Sequence, residues 1–166
     1  PGFETSASFI SVDLEDEADA NAKLAPLSDT THVFYCGLAG GFEAENVEGN
    51  LALVQNSIGV LDRIAPGLER GTPTQGGKYY GCHLGPYKTP SVESDPLHMP
   101  PNFYYNQQDY LIELQKGKSW GLPMVRPEIV IGLPSGVPPN TLNFVSVYTI
   151  TAQDLDPPCD FPGPPH

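Results

Sequence analysis

Proline sets the first limit on what this chain can fold into. It occurs 19 times in 166 residues, and all but three of those positions follow Gly71. Each proline fixes one backbone torsion and removes one N–H donor, which disfavours helix interiors and central strands. Most of the regular framework is therefore expected before Gly71, with short elements threaded through loops after it. The length suits one domain with a true core. Twenty acidic against eight basic residues give a formal net charge of −12. That balance argues against a nucleic acid or an anionic membrane surface as partner. No apolar run is long enough to span a bilayer. Cys36, Cys82 and Cys159 are odd in number and far apart. They imply no disulfide framework and a reducing, cytoplasmic setting. His32 and Cys36 have no partner at ligand spacing, so no metal site is expected.

Strand-like and helix-like runs alternate along the first half. Residues 8–14, SFISVDL, read as a short buried strand, and the acidic run 15–19 opens a helix through about residue 25. Residues 31–37, THVFYCG, are the clearest strand, β-branched and aromatic up to a glycine cluster. A single helix is expected over 43–65, with Val47, Leu51, Val54, Ile58 and Leu61 on one stripe and Pro66 as its stop. Asn46 and Asn50 share a face of it, either as solvated or capping amides or as braces for a neighbouring strand. The next strand, 70–75, contains Gly71 and Pro73 where a buried central strand favours Val, Leu and Ile. A proline-punctuated loop over 81–101 precedes a helix over 103–116, a strand over 121–132, a loop over 134–140 and a last helix over 142–152. This pattern is α/β, with parallel strands near Ser8, Thr31, Gly71 and Met124.

The chemistry concentrates between Gln75 and Tyr110. QGGKYYGCHLGPYKTP places a lysine on a glycine turn, and MPPNFYYNQQDY opens a helix with a tyrosine pair. A phenol supplies an O–H to a developing oxyanion, and a nearby ammonium lowers its pKa and stabilises the charge. On spacing alone, a solvated lysine and a core tyrosine pair explain the same residues.

These two segments, followed by SWGLPMVRPEIVIG, resemble the atypical extended short-chain dehydrogenases/reductases of the progesterone 5β-reductase and iridoid synthase type, over about residues 9–163. The resemblance implies an incomplete Rossmann-like parallel sheet that lacks the first strand–glycine-turn–helix unit and the C-terminal cap. It divides the chain into a partial NAD(P)-binding domain, 1–152, and a proline-rich tail, 153–166. The usual YxxxK signature is absent. The catalytic lysine carries over from the G-x-K turn to Lys78, and the tyrosine from NFYY to Tyr105 in preference to Tyr104. Asp13 and Leu14 carry over as adenine contacts. Pro127 and the backbone N–H of Val130 carry over to the nicotinamide carboxamide. The implied activity is NADPH-dependent hydride transfer to an activated alkene or carbonyl of a small molecule. One departure stands out: Gln75 occupies the place before the turn where the family has Thr or Ser, with Thr74 one position earlier. The missing pyrophosphate turn predicts impaired NADPH binding. The alternative is a non-catalytic remnant acting as a binding or interaction protein, self-associating through open sheet edges.

Overall fold

A computed structural model of the chain describes residues 6–40, 45–128, 130 and 141–155. They fall in two compact units, Ser6–Pro127 and a second that includes Glu128–His166. In the first unit, α1 (Glu17–Leu24) begins where Asp16 leaves helical geometry and its carboxylate accepts the N–H groups of Ala18 and Asp19. This N-cap, with Glu17 and Asp19 in the first turn, suits the positive end of the helix dipole. Ala20 and Leu24 turn inward.

Two strands, β1 (His32–Tyr35) and β2 (Arg70–Pro73), pair in parallel with His32 opposite Arg70 and Tyr35 opposite Pro73. Residues 121–125 lie on the other side of β2, bridged at Arg70–Gly121 and Thr74–Val125 in the same direction. The glycine- and proline-bearing strand is therefore the central one. Its odd-numbered residues face 121–125: Gly71 N–H donates to Gly121 O (3.0 Å) and Gln75 N–H to Val125 O (2.8 Å). In return Gly121 N–H donates to Glu69 O (2.8 Å) and Val125 N–H to Pro73 O (3.1 Å). Pro73 and Pro123 fall between these rungs and have no N–H to give, so this ladder is anchored at its two ends. Gly71 has its own reason: a Cβ there would lie 3.1 Å from the Trp120 ring and 3.5 Å from Ile58. The small residue lets the indole lie against the sheet.

The expected 43–65 helix is two helices, α2 (Val47–Gln55) and α3 (Ile58–Ile64). Local polar competition breaks it. Asn56 Nδ2 reaches out to Leu14 O (3.0 Å), and the Ser57 hydroxyl donates to Leu53 O (2.6 Å) in the backbone's place. The apolar stripe survives the break, with Val54 and Ile58 fully buried beside Tyr35, Leu53, Leu111 and Trp120. After β2 come two short 3-10 turns, Gly77–Tyr80 and Cys82–Leu84, then a loop, then α4 (Phe103–Gln115), which packs on α2.

The strand expected at residues 8–14 is not formed. Phe9 is 80% exposed, Ile10 is also exposed, and among the described residues β1 pairs only with β2. A buried strand needs a hydrogen-bonded neighbour, and the run has none there; only Leu14 packs against the core. In the second unit α5 (Thr141–Leu155) spans the expected helix, with Phe144 and Tyr148 stacked one turn apart. The expected loop at 134–140, the end of the strand at 131–132 and the tail from 156 lie outside the described residues. Among the described residues no helix is long and apolar enough to cross a membrane, and no cluster of His, Cys, Asp and Glu could hold a metal ion.

Candidate active site

The carboxyl end of β2 runs through Thr74, Gln75 and Gly76 into the turn that carries Lys78. Gly81 closes that turn at φ +89°, its N–H donating to Lys78 O (3.1 Å). A Cβ at Gly81 would sit 2.2 Å from the His98 ring, so glycine is required both by the left-handed backbone and by the returning loop. The Lys78 ammonium is paired with Glu45 and lies 4.6 Å from the centre of the Phe103 ring. Partial burial first, then the charge of Lys78, holds the His83 imidazole below its usual pKa.

Asn102 ties this turn to α4. It is 2% exposed, caps the helix by accepting Tyr104 N–H (3.2 Å), and donates from Nδ2 to Lys78 O (2.9 Å). The backbones of the lysine and of the tyrosine pair are thus joined through one buried side chain. The two tyrosines then diverge. Tyr105 is 6% exposed, and its hydroxyl donates to Tyr79 O (2.8 Å) and accepts His98 N–H (2.9 Å). Tyr104 is half-buried, and its hydroxyl lies on the Gly76 side: a Cβ at Gly76 would be 3.6 Å from that oxygen and 3.8 Å from Pro127 O. Burial pushes the Tyr104 phenol above its ordinary pKa, with Cys82 and Glu45 adding to the effect.

Gln75, the departure from the family pattern, is a brace. It is 4% exposed, donates from Nε2 to Tyr104 O (3.2 Å), and accepts Arg126 Nε at 2.7 Å. Arg126 also donates to Gln108 Oε1 (2.7 Å) and the Tyr80 hydroxyl (3.3 Å), and its guanidinium lies 3.8 Å from the Tyr79 ring centre. One polar network therefore fixes the Lys78 turn, the start of α4 and the end of the 121–125 segment. Thr74 keeps its hydroxyl at the strand end, 3.4 Å from Cys36 Sγ.

The other expected site residues are more scattered. Pro127 reaches the Gly76 gap through its carbonyl. Val130 is exposed and belongs to the second unit. Asp13 is exposed at the head of α1, its carboxylate accepting Glu15 N–H (2.9 Å); Leu14 is turned onto the core. Asn46 caps α2, and Asn50 clasps the loop after β1 through Ala39 N–H (3.0 Å) and Ala39 O (3.0 Å). Glu45 and Asn102 were not among the residues singled out in the sequence. Asn102 had a signal, an N-cap residue type immediately before an apolar helix start; Glu45 had none, since its partners lie 33 and 58 residues away.

A nicotinamide cofactor can be tested against these residues. Gly76 keeps a gap free of side chain between a phenol and a carbonyl, Thr74 keeps a hydroxyl at the same strand end, and the turn that follows carries Lys78. That donor set suits the hydroxyls and carboxamide of a nicotinamide riboside, bound as Rossmann folds bind nucleotides, beyond the carboxyl ends of parallel strands.

Comparison with known proteins agrees. Residues 9–153 match the model of the PRISE-like Rossmann-fold domain. The chain is 37% identical over 131 residues to the short chain dehydrogenase gsfE of Penicillium aethiopicum, covering 75% of this chain and 34% of that protein. It is 31% identical over 165 residues to the 3-oxo-Delta(4,5)-steroid 5-beta-reductase of Arabidopsis thaliana (93% and 42%). It is also 31% identical over 166 residues to an (S)-8-oxocitronellyl enol synthase of Camptotheca acuminata (95% and 41%). The chain thus spans between 34% and 42% of the length of these relatives. Among solved structures, a GDP-L-fucose synthetase from Naegleria fowleri superposes with a TM-score of 0.61 at 15% identity, over 90% of this chain and 50% of that one. Its NADP-bound form gives 0.57 at 17% identity, over 87% and 48%. Those likenesses show a shared Rossmann fold. The chain belongs to the PRISE-like Rossmann-fold domain family.

Proposed function

We propose that this chain forms the nicotinamide side of an NADPH-dependent reductase that adds hydride to an activated alkene or carbonyl of a small molecule. The observation that carries the reading is the position of the Tyr104 hydroxyl beside Gly76, at the strand end that leads into the Lys78 turn. Bound NADPH supplies the hydride. Tyr104, whose phenol burial holds above its ordinary pKa, donates its hydrogen bond to the substrate oxygen as negative charge develops there. Lys78 and Thr74 bind the riboside hydroxyls, and the Lys78 ammonium adds favourable charge beside the developing oxyanion. The Pro127 carbonyl takes the carboxamide, and Asp13 with Leu14 takes the adenine end.

Tyr104 takes the role given to Tyr105 on sequence because the Tyr105 hydroxyl is already committed to two backbone groups. A phenol that donates to a carbonyl and accepts an amide under a loop has no proton to offer a substrate. The relatives named as a steroid 5-beta-reductase and an oxocitronellyl enol synthase support an enone or enal as the substrate class.

The test is isotope transfer. Full-length protein is incubated with NADPH deuterated at nicotinamide C4 and a panel of enones and aldehydes. The expected result is deuterium on the reduced carbon of at least one product. No turnover across the panel, with the protein folded, contradicts the reading and favours a non-catalytic binding protein.

A further inference from the structure

Glu45 is the side chain the proposed chemistry leaves unexplained. Its carboxylate has two ligands from distant parts of the chain. One oxygen holds the Lys78 ammonium, and the other accepts the N–H of Phe103, the first residue of α4. Lys78 and Glu45 are both about one-fifth exposed, so this pair stands partly out of water, where charge pairing is felt more strongly than at an open surface. The Phe103 N–H is one of the orphan donors of a helix start, with no intrahelical acceptor, and a carboxylate there also meets the positive end of the helix dipole. Tyr104 follows Phe103 directly.

We infer that Glu45 is a positioning residue: one carboxylate that locks the Lys78 ammonium and the start of α4 into a single frame, and so sets where Lys78 stands relative to Tyr104. Asn102 already joins the two backbones. Glu45 adds the link that Asn102 cannot, because it restrains the far end of a flexible four-carbon side chain. The Phe103 ring, 4.6 Å from the ammonium, closes the third side of the same small cage. This inference rests on the chemical roles proposed for Lys78 and Tyr104. The clamp itself can be read without them.

Two measurements on the full-length protein separate the clamp from the chemistry. The first is amide hydrogen exchange at Phe103. E45A removes the acceptor and should speed that amide at least tenfold, whereas E45Q keeps an acceptor oxygen and should leave it close to wild type. The second is a kinetic cycle with Lys78. E45Q should lower kcat about tenfold or more and raise KM for NADPH, and should have no further effect on either in a K78A background, because both changes remove the same held ammonium. E45D, one methylene short of spanning both partners, should fall between. An unchanged Phe103 exchange rate in E45A overturns the clamp. A drop in kcat for E45Q that persists undiminished in K78A overturns the positioning of Lys78 and makes the effect merely structural. If K78A alone keeps full kcat while E45A still frees the Phe103 amide, the clamp stands and the chemical role assigned to Lys78 falls.

Discussion

Tyr104 and Tyr105 are neighbours with the same side chain, and a helix sends them about 100° apart around its axis. That rotation gives them different surroundings. The Tyr105 hydroxyl is used twice by the backbone, at 2.8 and 2.9 Å, and ties the loop ending at His98 to the Lys78 turn. Tyr105→Phe is therefore expected to lower stability by about 1–3 kcal/mol, since it leaves a buried carbonyl and a part-buried N–H without partners. Urea unfolding of the two proteins measures it; an unchanged midpoint would mean that water replaces the hydroxyl without loss. The NFYY motif made both tyrosines candidates, but nothing in its letters tells which ring faces the cleft. That depends on the phase of α4, which Asn102 fixes by capping it from outside. Gln75 was legible as a departure from the family and illegible as a brace, because its partners Tyr104 and Arg126 lie 29 and 51 residues downstream.

At the level of elements, the proline count suggested a weak region after Gly71, yet the central strand runs through Gly71 and Pro73. Parallel pairing explains it: Pro73 still offers its carbonyl to Val125, and only the donor rung is lost. The glycine admits Trp120, whose indole N–H donates to Asp62 Oδ1 at 2.9 Å while Lys118 holds the other oxygen at 2.7 Å. This anchor fastens α3 to the segment leading into residues 121–125. Asp62→Ala should cost about 1–3 kcal/mol by stranding the indole N–H, and Asp62→Asn, which keeps an acceptor, should cost less. Equal losses in the two variants, measured by thermal unfolding, would contradict the anchor. The strand at residues 8–14 fails for the opposite reason. Its apolar residues suit a strand, but a strand is defined by a hydrogen-bonded neighbour, and a local run of letters does not reveal one. The break between α2 and α3 has a similar origin, in Asn56 reaching Leu14 across 42 residues.

Across the whole molecule, burial leaves three tyrosines reluctant to ionise. Tyr35 is raised by burial first, with Gln107 opposing; Tyr104 by burial and then Cys82 and Glu45; Tyr110 by burial, against the charge of Arg63. In the unfolded chain each phenol loses its proton near pH 10, the ordinary value, whereas the folded chain keeps it to higher pH. The folded state therefore binds more protons above pH 10, and the stability these groups confer is complete below that value and lost as pH rises beyond it. Urea midpoints should fall as pH rises from about 10 to about 11, above the ordinary tyrosine value, and Tyr35→Phe should flatten the fall; a midpoint independent of pH would contradict it. The α/β class, most helix positions and the family could be read from the sequence, because periodicity and motif order survive without coordinates. Of the proposed site, Lys78 and the tyrosine pair are legible in the motifs, whereas the contacts of Glu45, Gln75, Asn102 and Arg126 are not, because their partners lie far apart in the chain. The most direct test of that assembly is kcat for enone reduction by the full-length protein in Tyr104→Phe and Tyr105→Phe, measured side by side. A lost oxyanion donor typically costs about 10²–10³ in rate. Tyr104→Phe should show that loss with NADPH binding nearly intact, and Tyr105→Phe should keep kcat within a few-fold at temperatures where it is folded. The reverse pattern, with Tyr105→Phe losing kcat and Tyr104→Phe keeping it, would contradict the account.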